Sequence, residues 1–206
     1  MKLFNIFVVT ALFSSITLIA CGSDESSPSA PVRTIDDIIL EGWSAFEQSP
    51  PDYNGAIDLF TEALALEDGN PEALTGRGWC YAFLAFGPDD VLYDSALNNF
   101  NEATLSDPNA IDAWAGLAFV RFVINAYNTA LAYANTVLSM DNEYVFEHNP
   151  DITINDIHLI RAHIYYYQGK YSSVVTILDL LQPGVAHPAD NPEILLSQLQ
   201  DLWGAI

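Results

Sequence analysis

Three features of the 206-residue sequence predict an all-α fold, an α-solenoid of about four stacked helix–turn–helix units closed by a C-terminal helix. The motif Ala56-x3-Phe60-x2-Ala63 recurs as Ala96-x3-Phe100-x2-Ala103. Each copy is followed by an acidic turn and then by a second amphipathic segment with apolar residues three and four apart, the period of a helix. The spacing from Ala96 to Ala130 is 34 residues, within the 20–50 residue range of stacked repeats.

The units can be taken in order. The first begins near residue 35 and has Pro50-Pro51 widening the turn between its two helices. Ala56 to Ala96 is 40 residues, so the second unit holds six extra residues, which fit in AFGPDDVLYD between its helices. The third unit starts after Asp107-Pro108 and carries Ala134 where the first two units have Phe. Ala130 to Val174 is 44 residues, which places ten further residues in NEYVFEHNPDITIND ahead of or within the fourth unit. That unit has Gly169 and Tyr171 at its turn, then Val174, Leu178 and Leu181. NPEILLSQLQDLWGAI, with Leu195, Leu199 and Trp203 on one face, is a final helix that covers the last unit.

This pattern resembles the tetratricopeptide repeat (TPR), a 34-residue helix–turn–helix with small residues where helices cross. Gly78 and Tyr81, Asp107-Pro108, and Gly169 with Tyr171 match its turn and crossing positions, while Arg121 and Ala134 depart from it. The resemblance spans about residues 35–182 and implies a concave surface, lined by the first helix of each unit, that binds peptides.

The N-terminus points to a location. Lys2 precedes an apolar run from Leu3 to Ala20, the layout of a secretory signal peptide over residues 1–20, though about 18 apolar residues could also span a bilayer. Leu18-Ile19-Ala20-Cys21 resembles the lipobox of bacterial lipoproteins. That resemblance implies cleavage before Cys21 and a lipid anchor on Cys21. Residues 21–34, rich in Ser and Pro, read as a flexible tether, and residues 35–206 as the TPR-like domain. Gly22 after the cysteine favours the outer membrane, facing the periplasm. Cys80, in GRGWCYAF, reads as a small apolar core residue and not as a disulfide partner.

Charge limits the partners. With 27 Asp+Glu against 6 Lys+Arg the net charge is −21, which repels phosphate backbones and excludes nucleic acid as the expected partner. Solubility is one reason for such a surface, and a basic partner is another.

Residues of the first helices are then read in register. After the small residues Gly42, Gly78, Ala118 and Ala162 come Trp43, Trp79, Phe119 and His163. One turn on are Phe46, Phe83, Phe122, Tyr166 and Tyr167, so the groove is expected to have an aromatic floor. Six residues before each small residue stands an acid: Asp36, Glu72, Asp112 and Asp156. Helix-dipole and capping effects explain an acid there without a ligand, and packing between repeats explains the aromatic residues. As a binding site, the set suits a peptide with apolar anchors and Lys or Arg, hence another envelope protein, possible basic character included. Aromatic faces also stack on sugars, which makes a glycan-binding outer-membrane lipoprotein the alternative. A third arrangement has the ten-residue insertion or the tail filling the groove, leaving binding to the insertions or the convex face.

No catalytic motif, phosphate loop or cofactor signature stands out, so no enzyme activity and no cofactor are expected. His158 and His163 are five apart, unlike a zinc helix, and GPDDVLYD lacks the ligand order of a calcium loop.

Overall fold

The structure, a computed structural model, describes residues 32–88 and 90–203. The signal-peptide and lipid-anchor expectations, Cys21 included, lie outside the described residues. Among those residues the chain forms nine helices, with no named strand: α1 Ile35–Glu47, α2 Tyr53–Leu66, α3 Pro71–Leu84, α4 Leu92–Ser106, α5 Ile111–Val123, α6 Tyr127–Met140, α7 Ile154–Tyr167, α8 Tyr171–Leu181 and α9 Pro192–Trp203. Successive helices pack on each other, and α1, α3, α5 and α7 also pack side by side, which makes them the inner layer of a solenoid. Helix α9 rests on α7 and α8 and buries Leu195 and Leu199, as its apolar spacing predicts.

Local sequence starts these helices. Thr34 and Asp37 form a capping box on α1, and Thr153 and Asp156 form one on α7. Asn70 caps α3, whose first residue is Pro71, a ring that needs no N–H at that position. The α7–α8 turn closes with Gly169 at φ +70°, where the Lys170 N–H donates to the Tyr165 carbonyl. In the third unit Asn125 takes the same left-handed role at φ +60°, with the Ala126 N–H donating to the Arg121 carbonyl. Between α3 and α4, the Asp90 carboxylate accepts from the Phe86 and Leu92 N–H groups. Those two donors hold the Asp90 carboxyl below its ordinary range.

The repeated Phe of the outer helices explains the repeated glycines. Phe60 of α2 is fully buried between Gly42 of α1 and Gly76 of α3, and Phe100 of α4 lies likewise between Gly78 of α3 and Gly116 of α5. A Cβ at Gly42 would sit 2.7 Å from the Phe60 ring, and one at Gly78 would sit 2.6 Å from Phe100. Each phenyl ring therefore occupies space that two glycines vacate, and it binds one unit to the next. In the third unit the corresponding outer residue is Ala134 and its register partners are Ala118 and Ile160, all buried. Volume has moved from the outer helix to the inner ones, so the departure from the repeat is compensated. Cys80 is a free thiol in this core, and burial pushes it up to about 12, which keeps it protonated and apolar.

Candidate functional site: the concave face

The inserted residues decide what the concave face offers. Residues 141–153 leave α6, run back across the inner layer and return to α7 as a small strap. The Phe146 N–H donates to the Ile152 carbonyl at 2.9 Å, the Ile154 N–H to the Tyr144 carbonyl at 2.7 Å, and Val145 bridges Thr153. Along the strap Tyr144 and Phe146 are buried while Val145 and Glu147 face out, a period of two that is the mark of extended chain.

Phe146 is fully buried. Its ring lies 4.9 Å from Trp79 in a stacked arrangement and meets Trp43 and Phe46 edge-on, each at 6.1 Å. Two residues on, the His148 ring lies flat on Trp43, centroids 3.6 Å apart and planes 5° apart, with Nδ1 2.6 Å from Glu47 Oε1. Tyr144 donates its hydroxyl to Asp112 Oδ1 at 2.7 Å. Trp43, Phe46 and Trp79 thus gather on the inner layer, where the chain's own strap covers them.

Each expected site residue can now be placed. Trp43, Phe46 and Trp79 are buried in one aromatic cluster under Phe146, and Phe83 borders it, 5.7 Å from Trp79. Phe119 sits 6.2 Å from Trp79 and lines a 200 Å³ apolar recess with Phe83, Ile152, Asp156 and Trp203. Phe122 and His163 form a second cluster around Trp203, at 5.4 and 5.2 Å. Tyr167 stacks on Tyr127 and stays 55% exposed, while Tyr166 turns to Tyr171 of α8. Burial lowers His163 from its ordinary 6.5, so it is a neutral core imidazole.

The four acids in register divide by task. Asp156 completes the α7 capping box, as helix chemistry alone requires. Asp36 is exposed in the first turn of α1, where the neighbouring Asp37 does the capping. Glu72 accepts a 3.2 Å hydrogen bond from Trp43 Nε1, and Asp112 accepts the Tyr144 hydroxyl. Burial raises Asp112 above its ordinary 3.8, and the Tyr144 hydrogen bond opposes that rise. The Asp112 backbone carbonyl accepts from Trp79 Nε1 at 3.1 Å, so both tryptophans reach the first turn of the next inner helix.

Around the strap lie three adjoining recesses of 310–390 Å³. Glu147 and His148 line all three, joined by Glu47 in one, by Glu72, Asp107 and Asp112 in another, and by Asp36 and Glu72 in the third. Among the described residues, no Lys or Arg lines any of them. The third arrangement expected from the sequence, the insertion filling the groove, is what this end of the face shows, though Glu47, Tyr144, Phe146, Glu147 and His148 were not singled out one by one. The alternation within Tyr144-Val145-Phe146-Glu147-His148 is the signal that could have found them.

Known proteins of similar structure fix the architecture. The pilF protein of Pseudomonas aeruginosa superimposes with a TM-score of 0.59 at 17% identity, covering 83% of this chain and 69% of its own. A TPR protein of Thermus thermophilus gives 0.55 at 18%, covering 84% and 82%. The fold is a TPR solenoid. In sequence, a heat-shock protein cognate co-chaperone, sgt12 of Aspergillus fumigatus, is 33% identical over 101 residues, 49% of this chain. The chain spans 27% of that curated relative's length. No family profile matches the chain.

Proposed function

We propose that this protein is a noncatalytic TPR docking module, anchored to the bacterial envelope through a lipidated Cys21, that holds a basic segment of another envelope protein. The observation that carries the reading is the convergence of Asp36, Glu47, Glu72, Asp107, Asp112 and Glu147 on three adjoining recesses whose described walls hold no Lys or Arg. Carboxylates focused in a cleft raise the local concentration of cationic groups and orient them. The apolar recess between Phe119, Ile152 and Trp203 gives such a segment a place for an aliphatic or aromatic anchor. The sequence relative is by its name a co-chaperone, which accords with a role exercised on another protein. Sugar stacking finds less support, since the Trp79 face is covered by fully buried Phe146.

The test is selection from a random peptide library with the full chain in detergent as bait. Peptides enriched in Arg or Lys beside an apolar residue are expected, bound more weakly as salt rises. Glu72→Gln with Glu147→Gln should weaken them further. Selection without any bias toward basic residues would overturn the reading. Anchoring is checked by mass spectrometry of the mature N-terminus. Acyl chains on Cys21, lost in Cys21→Ser, are expected, with the protein in the outer-membrane fraction.

A further inference from the structure

Three recesses share Glu147 and His148 in their walls. The His148 ring is held by a flat stack on Trp43 at 3.6 Å, an approach to Glu47 at 2.6 Å and an edge-on contact with Phe146 at 5.8 Å. A planar group that stacks on an indole while pointing nitrogen at a carboxylate is satisfied at both ends, which is the requirement of a guanidinium. The rest of the seat favours a full positive charge over an imidazole. Glu72 takes the Trp43 Nε1–H and so leaves the indole held in place with a carboxylate at its edge. Asp36 and Glu147 border the same recess.

The neighbours of His148 set what can move. Phe146 and Tyr144 are core residues, and lifting them would empty the space among Trp43, Phe46 and Trp79. The His148 side chain instead keeps 20% of its surface open, and beyond it come Asn149 and exposed Pro150. A different rotamer of this one side chain would uncover the Trp43 face without unseating Phe146 or Tyr144.

We propose that the Trp43 face, with Glu47 and Glu72, is a seat for an arginine side chain of the partner, and that His148 is an internal occupant which the arginine displaces. This rests on the docking reading above and adds the residue type recognised, its position and the competitor built into the chain. A lysine fits less well, because an ammonium lacks the flat face that the indole stacks on.

The experiment titrates the full chain in detergent with two probes. The first is N-acetyl-arginine amide, compared with the neutral isostere N-acetyl-citrulline amide. The second is a longer Arg-rich peptide. Thermal melts confirm that the variants fold. Arginine amide should bind and citrulline amide should not. His148→Ala should tighten arginine amide and the peptide about tenfold, the effect of removing a competitor worth about 1.4 kcal/mol. His148→Arg should weaken both, because the seat is then filled from within. Glu47→Gln added to His148→Ala should remove most of the gain. If the peptide binds in a salt-dependent way but ignores both His148 substitutions, the seat is wrong and the docking reading stands. Equal binding of citrulline amide would overturn the seat as well. If neither probe binds wild type or His148→Ala, both readings fall.

Discussion

At the N-terminal end of the concave face Trp43, Phe46 and Trp79 lie beneath residues 141–153, and Phe146 of that strap has no exposed surface. At the C-terminal end Phe122 and Tyr167 meet Tyr127 and the Trp203 ring, and Tyr167 remains 55% exposed. Phe46 and Phe122 hold the same position in the repeat, yet Phe46 is buried and Phe122 half-buried, and Tyr167, in the register of half-buried Phe83, is exposed. Repeat register fixes which side of the solenoid a residue faces. Whether that side meets solvent depends on segments outside the repeat.

The difference can be broken at its strongest point first. Phe146→Ala should destabilise the protein by about 3–5 kcal/mol, because no neighbour can close the gap between two indoles and Phe46. Chemical denaturation measures this. Next in size is Gly78→Ala. Helix propensity alone would give a gain of about 1 kcal/mol, but the new methyl meets the Phe100 ring, and overpacking should reverse the sign to a loss of about 1–3 kcal/mol. Phe100→Leu in the same chain should recover part of that loss, since the two sites share one volume. Tyr144→Phe follows, at about 1–2 kcal/mol, because it leaves the Asp112 carboxylate buried without its 2.7 Å donor. Trp203→Ala, at the half-open end, should cost no more than about 1 kcal/mol.

Acid sharpens the same comparison. Asp112 is raised above 3.8, so its ionised form is a cost to the fold that disappears as pH falls through the raised value. His163 is lowered below 6.5, so the stability of its neutral form is present above 6.5 and is lost as pH falls below that. Acidification from neutral to about pH 5 should therefore loosen α7 and α9 around His163 while the strap holds. Hydrogen exchange resolved by segment measures this, and in His163→Leu the loosening of α9 should vanish.

Much of the fold was legible because its signals are local. Ala-x3-Phe-x2-Ala, Asp107-Pro108 and Gly169 act within one turn or one crossing, and α9 follows from Leu195 and Leu199 alone. The site was legible only in part. The sequence places Trp43 and Trp79 on the inner layer, but the residues that cover them are Phe146 and His148, more than 60 positions away. The acids show the same limit. Asp156 caps its own helix as a first-turn acid should, whereas Glu72 and Asp112 answer to Trp43 and Tyr144, 29 and 32 residues distant. No local rule could assign those two.

The phenyl rings held between paired glycines have a consequence for how the solenoid comes apart. Phe60 and Phe100 each join two consecutive units, and the large apolar core runs unbroken from Ile38 to Ile157. Past Ala134 no such ring exists, and the remaining apolar residues fall into separate clusters, one of them Leu159, Ala162, Val174, Ile177, Leu178, Leu195 and Leu199. In a quasi-one-dimensional array, cooperativity is only as long as the strongest nearest-neighbour couplings. The first three units should therefore melt as one body, with α8 and α9 opening earlier as a separate foldon, a seam set by the loss of one aromatic ring.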